Sequence, residues 1–307
     1  MSTPLDVDGS ALLAIVERSG FPESRHLGAA ALVDPDGAVV RALGDPAALV
    51  YPRSTLKLAQ ATAVELLGVV FDPEQTVLSA ASHSGTRAHV AVVERMLADA
   101  GLDASALRCP ADWPGDPVAR RAASEPARIT MNCSGKHAGF LAAAVAHGWE
   151  LESYLDPEHP LQRHVLATVE ELAGERITHL GVDGCGAPVP VLSLAGLART
   201  ASRTARAGTA LGDAIRAHPW ALDGPGRANT VTIERTGLVA KLGAEGVLVL
   251  VTDEGAAVAV KALDGAHRAT TPTGLELLVR EGLLPRGLAD AALTAIADPW
   301  TTLRLAF

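Results

Sequence analysis

The chain has 307 residues, of which 48% are hydrophobic, 20% charged and only 3% aromatic, and its formal net charge is −9. This composition is typical of a globular protein with an Ala, Val and Leu core and excludes a disordered chain. An acidic balance with scattered basic residues argues against nucleic acid or an anionic membrane surface as a partner. Three cysteines cannot form a disulfide framework, and neither a signal peptide nor a membrane span is recognisable. We therefore expect a cytoplasmic protein.

The hydrophobic pattern predicts secondary structure in the following order. The amino-terminal third contains a helix over 11–19, a hairpin of strands 26–33 and 38–43, a helix over 55–67, a polar loop over 79–86 and a helix over 87–100. The middle contains a surface loop over 108–127, helices over 132–147 and 160–173, a strand over 178–182, and helices over 192–207 and 211–218. The carboxyl-terminal part contains strands over 237–241, 246–252 and 256–262 and helices over 273–281 and 289–296. Hairpins at both ends predict one α+β domain over 1–307, with an antiparallel sheet built from N- and C-terminal strands and a helical middle.

The segment 51–60, YPRSTLKLAQ, contains a Ser-x-x-Lys pair. Pro52 interrupts the preceding chain, so Ser54 is predicted at the helix start, where serine is a good N-cap. Residues at i and i+3 share a helix face, which allows Ser54 and Lys57 to touch. A hydroxyl beside a buried amine is a nucleophile beside a base. The four-residue pattern also arises frequently by chance.

Lysine is unusually scarce in this chain. Of the 26 basic residues only four are lysines, Lys57, Lys136, Lys241 and Lys261. Arginine stays protonated at any working pH, whereas a desolvated lysine can act as a base or a ligand. Each lysine is therefore a candidate for a role that arginine cannot fill, and the census suggests that at least three line one site. Chance retention is the alternative.

Further serine and lysine candidates lie outside the helix. The loop Ser82-His-Ser-Gly85 leaves its hydroxyls free to relay a proton or to hold a leaving group, although such clusters often only form turns. Lys261 ends a strand and is predicted to face the Ser-x-x-Lys helix, which would balance charge near the nucleophile. Lys241 borders the same sheet, where a lysine that protects an edge strand is an equal alternative.

Two cysteine segments predict a second chemical feature. Cys133 and Lys136 lie at i and i+3 at a predicted helix start, and Asp183 and Cys185 follow a predicted strand. Thiolates, a carboxylate and a neutral amine can together make a tetrahedral zinc site. The spacing matches no common zinc motif, so two buried free cysteines or a redox pair remain alternatives.

Taken together, these segments resemble the rhizobial-type L-asparaginases, the asparaginase II family. The resemblance rests on Pro52-Arg-Ser-Thr-Leu-Lys57, Ser82-His-Ser-Gly85, Met131-Asn-Cys-Ser-Gly-Lys-His-Ala-Gly139, Gly181-Val-Asp-Gly-Cys-Gly-Ala-Pro188, Ala240-Lys-Leu-Gly-Ala-Glu-Gly246 and Lys261 with Asp264-Gly265. It implies a fold similar to that of serine β-lactamases, penicillin-binding proteins and class A glutaminases. It also implies a homodimer that hydrolyses L-asparagine to L-aspartate and ammonia.

The resemblance further implies roles for individual residues. It implies two Ser-Lys pairs, one of Ser54 with Lys57 and the other of Ser82 with Lys261. Ser54 is the preferred acyl carrier. The substrate-binding residues are expected to be Arg53, Ser84, Lys136 and Asp183. The zinc ligands are expected to be Cys133, Lys136 and Cys185, with Asp183 close by through water. The zinc ion is expected to orient the α-amino and carboxylate end of the substrate. Thr86 departs from the family pattern, in which an acidic residue is expected.

Three other functions remain open at this point. A β-lactam- or peptide-directed serine hydrolase shares the Ser-x-x-Lys arrangement, but such enzymes act outside the cytoplasm. A glutaminase shares the chemistry, and one extra methylene is worth only ~1–3 kcal/mol of discrimination. A non-catalytic zinc or thiol sensor would explain Cys133 and Cys185 but would leave Ser54, Lys57 and Lys261 without a purpose.

Overall fold

In the computed structural model, which describes residues 3–307, helices pack around a seven-stranded antiparallel sheet. The strands are β1 (Ala11–Arg18), β2 (Phe21–Val33), β3 (Val39–Leu43), β4 (Leu49–Val50), β5 (Leu180–Val182), β6 (Pro188–Pro190), β7 (Leu192–Ser193), β8 (Val239–Gly243), β9 (Val247–Val251), β10 (Ala257–Ala262) and β11 (Thr302–Leu305). The helices are α1 (Lys57–Leu66), α2 (Pro73–Ser79), α3 (Arg87–Asp99), α4 (Pro117–Ala122), α5 (Ser134–Ala146), α6 (Pro160–Ala173), α7 (Leu194–Ala205), α8 (Ala210–Ala217), α9 (Pro219–Leu222), α10 (Ala228–Thr236), α11 (Thr270–Arg280) and α12 (Arg286–Ile296). Short 3₁₀ helices span Arg53–Leu56 and Ala104–Ala106.

The large sheet joins the two ends of the chain. Its strand order is β11-β1-β2-β10-β9-β8, with β3 paired to β2. The amino-terminal hairpin therefore lies between the carboxyl-terminal strands β11 and β10. The α+β fold class predicted from the sequence, with one antiparallel sheet made from both termini, is confirmed.

The predicted helix over 11–19 is wrong, because this segment forms β1. Ala and Leu favour helix locally, but residues 11–18 pair with both β2 and β11, and tertiary pairing overrides the local preference. Ser19 and Gly20, with φ of 51° and 79°, make the two-residue turn between β1 and β2, a geometry that requires positive φ at both positions. The short helix α4 lies within the predicted surface loop 108–127, and helices α2, α9 and α10 were not predicted.

Strands β9 and β10 form the middle of the core. Every residue of β9 is buried, which explains its unbroken apolar sequence, because both faces of the strand are covered. A Cβ at Gly274 of α11 would lie 2.8 Å from Leu250 Cδ1 and 3.1 Å from Leu248 Cδ2, so α11 packs closely on that face. Side chains alternate across a strand, so the remaining residues of β9 face the opposite side, where α7 also packs against the sheet.

Helix α1 lies in the centre of the helical region and contacts α2, α5, α6, α7 and α8. Its residues are buried almost all round, and its alanines allow the neighbouring helices to approach closely. The 3₁₀ turn Arg53–Leu56 that leads into α1 packs against β8, which is the edge strand of the large sheet. The junction between α1 and β8 is therefore where the predicted serine and lysine residues meet. Within residues 3–307, every helix falls short of the length and apolarity needed to cross a membrane.

Candidate active site

Ser54 lies in a tight turn rather than at a helix cap. Pro52 precedes the 3₁₀ helix, and Arg53 has a φ of 50°, a left-handed conformation that is uncommon for a residue with a side chain. The side chain of Ser54 caps neither this turn nor α1, contrary to the prediction. Ser54 is half-buried and lines an open cleft, so its hydroxyl is available for chemistry.

Ser82 is held between two lysine amines. Lys57 Nζ donates to Ser82 Oγ at 3.0 Å and to the carbonyl oxygen of Ala81 at 2.7 Å. Lys241 Nζ lies 2.7 Å from Ser82 Oγ and 3.3 Å from the carbonyl oxygen of Leu242. The backbone N–H of Ser82 donates to Leu222 O at 2.9 Å, which fixes the loop. One hydroxyl thus connects α1 with the edge strand β8.

Lys241 is fully buried, so it does not protect a sheet edge, and that alternative is wrong. Although β8 is an edge strand, the turn Arg53–Leu56 and α10 pack against it and remove Lys241 from solvent. Burial and, to a smaller extent, the charge of Lys57 lower the pKa of Lys241 from 10.5 to about 7, while Asp223 acts in the opposite direction. A large fraction of Lys241 is therefore neutral near pH 7.

Gly243 allows the end of β8 to approach the Ser54 turn closely. A Cβ at this position would lie 3.1 Å from the backbone nitrogen of Ser54 and 2.9 Å from the carbonyl oxygen of Pro52. Among the described residues, neither Ser54 N–H nor Ala244 N–H has a hydrogen-bond acceptor. Both residues line the cleft, so two free backbone donors border it beside the Ser54 hydroxyl.

The cleft has a volume of about 540 Å³, large enough for a small amino acid. Both serines contribute to its wall, together with several polar residues that the sequence did not single out. Its lining consists of Ser54, Ser82, Asn132, Asp223, Arg227, Ala228, Asn229, Leu242, Gly243, Ala244 and His267.

The predicted contact between Ser82 and Lys261 is not formed, and Lys241 takes that place. Lys261 Nζ instead donates to the carbonyl oxygens of Glu245 and Ala262. Lys241 pairs with Val249 of β9 and Lys261 with Val247, so both lysines lie on one face of the sheet. However, β10 is two strands away from β8, or roughly 10 Å at ~4.8 Å per strand. Only the lysine of the edge strand reaches Ser82.

None of the four predicted substrate-binding residues is part of the cleft lining. Arg53 lines a separate cavity of about 290 Å³ together with Lys261, and its Nε donates to Asp183 Oδ1 at 2.8 Å. Ser84 is buried, and its Oγ is directed at Gly224, where a Cβ would lie 2.3 Å away. The backbone N–H of Ser84 donates to Asp223 O, and its carbonyl oxygen accepts from Asp116 N. In this structure Arg53 and Ser84 contact neighbouring segments of the chain instead of lining the cleft.

Thr86 has a local structural role. Its side chain accepts a hydrogen bond from His89 N and caps α3, and the imidazole of His89 accepts in return from Thr86 N. Threonine and aspartate are both good N-caps, so the departure from the expected acidic residue preserves the helix start.

The cysteine segments converge next to Lys57. Lys136 Nζ lies 3.0 Å from Cys185 Sγ, and all of Cys133, Lys136 and Cys185 are buried. A hydrogen bond from the Cys133 thiol lowers the pKa of Cys185 and raises that of Cys133, and the Lys136 amine further favours the Cys185 thiolate. Burial lowers the pKa of Lys136, but the charges of the two cysteines outweigh burial and raise it. Asp183 lies near Lys136, where Arg53 fixes its carboxylate.

The donor set of this cluster fits a zinc ion. Two thiols and one amine converge at a buried point, and zinc binds sulfur and nitrogen ligands in tetrahedral sites with a fourth position open. Within residues 3–307, no three side chains of His, Cys, Asp or Glu form a metal-binding group, so the lysine would have to serve as the third ligand. The cluster connects to the cleft through Asn132, whose Oδ1 accepts from Cys133 Sγ at 2.9 Å.

The four lysines thus separate into one group of three and one outlier. Lys57, Lys136 and Lys241 are each at most 2% exposed and surround Ser82 and Cys133, whereas Lys261 lies apart. The scarcity of lysine and the tight Lys-Leu-Gly243 segment were the sequence signals for Lys241. Arg227, Asn229 and Asp223 had no signal of their own, because polar residues at a helix start are common.

Hydroxyls and buried amines grouped in one cleft of an α+β fold are typical of hydrolases that form acyl intermediates. The comparison with protein families gives the particular class. The chain belongs to the L-asparaginase II family, whose model matches residues 14–303, and is therefore an asparaginase-type amidohydrolase.

The other comparisons add little to this assignment. Among solved structures, a β-lactamase from Mycobacterium bovis aligns with 87% of this chain and 94% of its own, at 16% sequence identity and a TM-score of 0.41. Curated proteins gave no match. The α+β assignment rests on the strand order itself.

Proposed function

We propose that the protein hydrolyses L-asparagine to L-aspartate and ammonia through a serine-bound acyl intermediate. Family membership supports the amidohydrolase chemistry. The observation that carries the mechanism is the hydroxyl of Ser82, which contacts the amines of Lys57 and Lys241 in a cleft that Ser54 also lines. Dividing amide hydrolysis into acylation and deacylation lowers the barrier of each step.

Ser54 is the proposed nucleophile. Its hydroxyl is directed neither into a cap nor into a lysine contact, whereas the Ser82 hydroxyl is held by two amines. The free N–H groups of Ser54 and Ala244 lie beside it and would stabilise the oxyanion of the tetrahedral intermediate. Loss of a single donor of this kind costs about 10²–10³-fold in turnover.

A proton relay through Ser82 completes the proposal. Ser54 Oγ attacks the side-chain amide carbon while its proton passes to Lys57, which lies one helical turn away. Lys57 passes a proton to Ser82 Oγ, and the Ser82 proton moves to neutral Lys241, which burial keeps ready to accept it. The reverse transfer protonates the departing nitrogen as ammonia. Water then hydrolyses the β-aspartyl ester through the same relay, which regenerates Ser54.

Zinc remains a proposal for the cysteine cluster. Cys133, Lys136 and Cys185 would hold the ion, which would supply positive charge that orients the polar end of the substrate. Because zinc needs a neutral amine, a zinc-bound Lys136 would have lost its proton. The side chain of Asn132 would transmit the position of the cluster to the cleft.

The decisive experiment is ammonia release from L-asparagine and L-glutamine, with and without a chelator. Ser54→Ala should lose on the order of 10³-fold in kcat if Ser54 carries the acyl group. Ser84→Ala is the matched control, because Ser84 flanks the same loop but faces Gly224, and it should retain activity. If Ser54→Ala keeps near-normal turnover while Ser82→Ala is inactive, Ser82 is the nucleophile instead.

The same preparations test the other functions. Turnover of nitrocefin without asparaginase activity would support a β-lactam-directed hydrolase. A higher kcat/KM for glutamine than for asparagine would make the protein a glutaminase. Bound metal without hydrolysis of either amino acid would support a zinc sensor. Light scattering of the same preparation tests the predicted homodimer.

A further inference from the structure

The amino-terminal end of α10 carries a cation that the relay does not use. Arg227 precedes the helix and lines the same cleft as Ser54 and Ser82, on the wall formed by Asp223, Ala228 and Asn229. We infer that Arg227 and Asn229 form the subsite that binds the α-carboxylate of the amino-acid substrate. The inference rests on the proposed function and names the chemistry that selects an amino acid over a simple amide.

A buried carboxylate holds the Arg227 guanidinium in place. Arg227 Nε donates to Asp223 Oδ1 at 2.6 Å, and Asp223 Oδ2 accepts from the backbone N–H of Asn229 at 3.3 Å. The side chain of Asp223 is 8% exposed, whereas that of Arg227 is 49% exposed. Asp223 therefore occupies only the inner nitrogen of the guanidinium. Within residues 3–307, the two outer nitrogens of Arg227 have no acceptor, and two parallel N–H groups match a carboxylate.

Asn229 supplies a second donor from a buried position. The residue is 4% exposed, and its Oδ1 accepts from Leu242 N at 2.9 Å, which orients the amide. In the described part of the chain its Nδ2 has no protein acceptor, and the atom is not among the buried polar atoms that lack a partner, so it is open to the cleft. Asn229 lines the cleft, so a ligand oxygen can fill this position.

The charges around the cleft favour an anion. Asp223 is the acid in its lining, and its oxygens are taken by Arg227 and by the start of α10. Lys57 and Lys241 lie behind Ser82, and both amines are engaged with its hydroxyl rather than open to the cleft. The other nearby arginine, Arg53, is paired with Asp183 and lines a different cavity. Arg227 thus offers two free guanidinium nitrogens to a carboxylate in this cleft.

The test compares two amides that differ only by the α-carboxylate. L-Asparagine and β-alaninamide share the amino group, the two-carbon link and the scissile amide. Arg227→Gln should raise KM for asparagine roughly 10- to 100-fold, as expected for hydrogen bonds to a charged group. The same substitution should leave kcat/KM for β-alaninamide within about twofold. Arg227→Lys keeps the charge without the two parallel donors and should fall between the wild type and Arg227→Gln.

Control variants separate this inference from the proposed function. Arg235→Gln removes an exposed arginine from the same helix and should change neither substrate. If Arg227→Gln lowers kcat/KM equally for asparagine and β-alaninamide, or changes neither, the ratio stays the same and the subsite is overturned. If the wild type fails to hydrolyse asparagine, the proposed function fails. Calorimetric binding of the two amides to wild type and Arg227→Gln then tests the subsite directly, and equal affinities would refute it.

Discussion

Replacement of Lys241 by methionine should make the protein more stable at low pH and nearly inactive. The amine is fully buried, and the folded protein lowers its pKa from 10.5 to about 7. At 1.36 kcal/mol per pKa unit, holding the charged amine in the folded state costs on the order of 5 kcal/mol below pH 7. Methionine has a similar length and carries no charge, so it removes this cost.

The pH dependence gives the sign of the effect. Between about pH 7 and 10.5 the unfolded chain keeps its proton on Lys241 while the folded protein has lost it, so stability rises with pH. The charge-related cost therefore falls from ~5 kcal/mol at pH 6 to ~2 kcal/mol at pH 9. The stability advantage of Lys241→Met should shrink by roughly 3 kcal/mol over this range, whatever the variant loses in hydrogen bonds.

Urea unfolding of wild type and Lys241→Met at pH 6 and pH 9 measures this difference. Ammonia release from asparagine, measured in parallel, should fall by at least ~10²-fold, because the relay loses its proton acceptor. Parallel stability curves for the two proteins between these pH values would refute the buried-amine argument. Normal turnover in Lys241→Met would refute the relay.

Three further outcomes follow from the same geometry. Lys261→Met should retain asparaginase activity within about threefold, since Lys261 contacts carbonyl oxygens rather than Ser82. Loss of activity in this variant would instead support the predicted Ser82–Lys261 pair. Lys57→Arg keeps a charge that cannot be released, so kcat should fall at least ~10²-fold; normal turnover in that variant would contradict deprotonation of Lys57. Cys185→Ser should reduce the zinc content of the purified protein, measured by metal analysis. In steady-state kinetics it should raise KM for asparagine more than it lowers kcat. Unchanged metal content would exclude the cysteine cluster as the zinc site.

Several features of the site could be read from the amino-acid order alone. The scarcity of lysine made all four lysines candidates, because arginine cannot replace a buried amine that acts as a base, and three of them, Lys57, Lys136 and Lys241, lie around Ser82 and Cys133. Cys133 with Lys136 was recognisable from their spacing on one helix face. The carboxyl-terminal strands followed from their apolar runs and glycine turns. These are local properties, which a short stretch of sequence determines.

The partner of Ser82 could not be read in the same way. Lys241 and Lys261 are both strand lysines beside glycines, and both lie on the same face of the sheet. The order β10-β9-β8 places only Lys241 next to the Ser54 turn, since each intervening strand adds ~4.8 Å. Segment 11–18 likewise became a strand through its pairing with β2 and β11, against its local helix preference.

Sequence by itself therefore determined which residue types were available for catalysis and which short segments present them. Tertiary structure decided which of them meet: Ser82 with Lys57 and Lys241, and Arg227 with Asp223 and Asn229. The physical reason is that these contacts join segments up to 159 positions apart. Their distances are set by strand order and helix packing, which depend on the whole chain rather than on any local pattern.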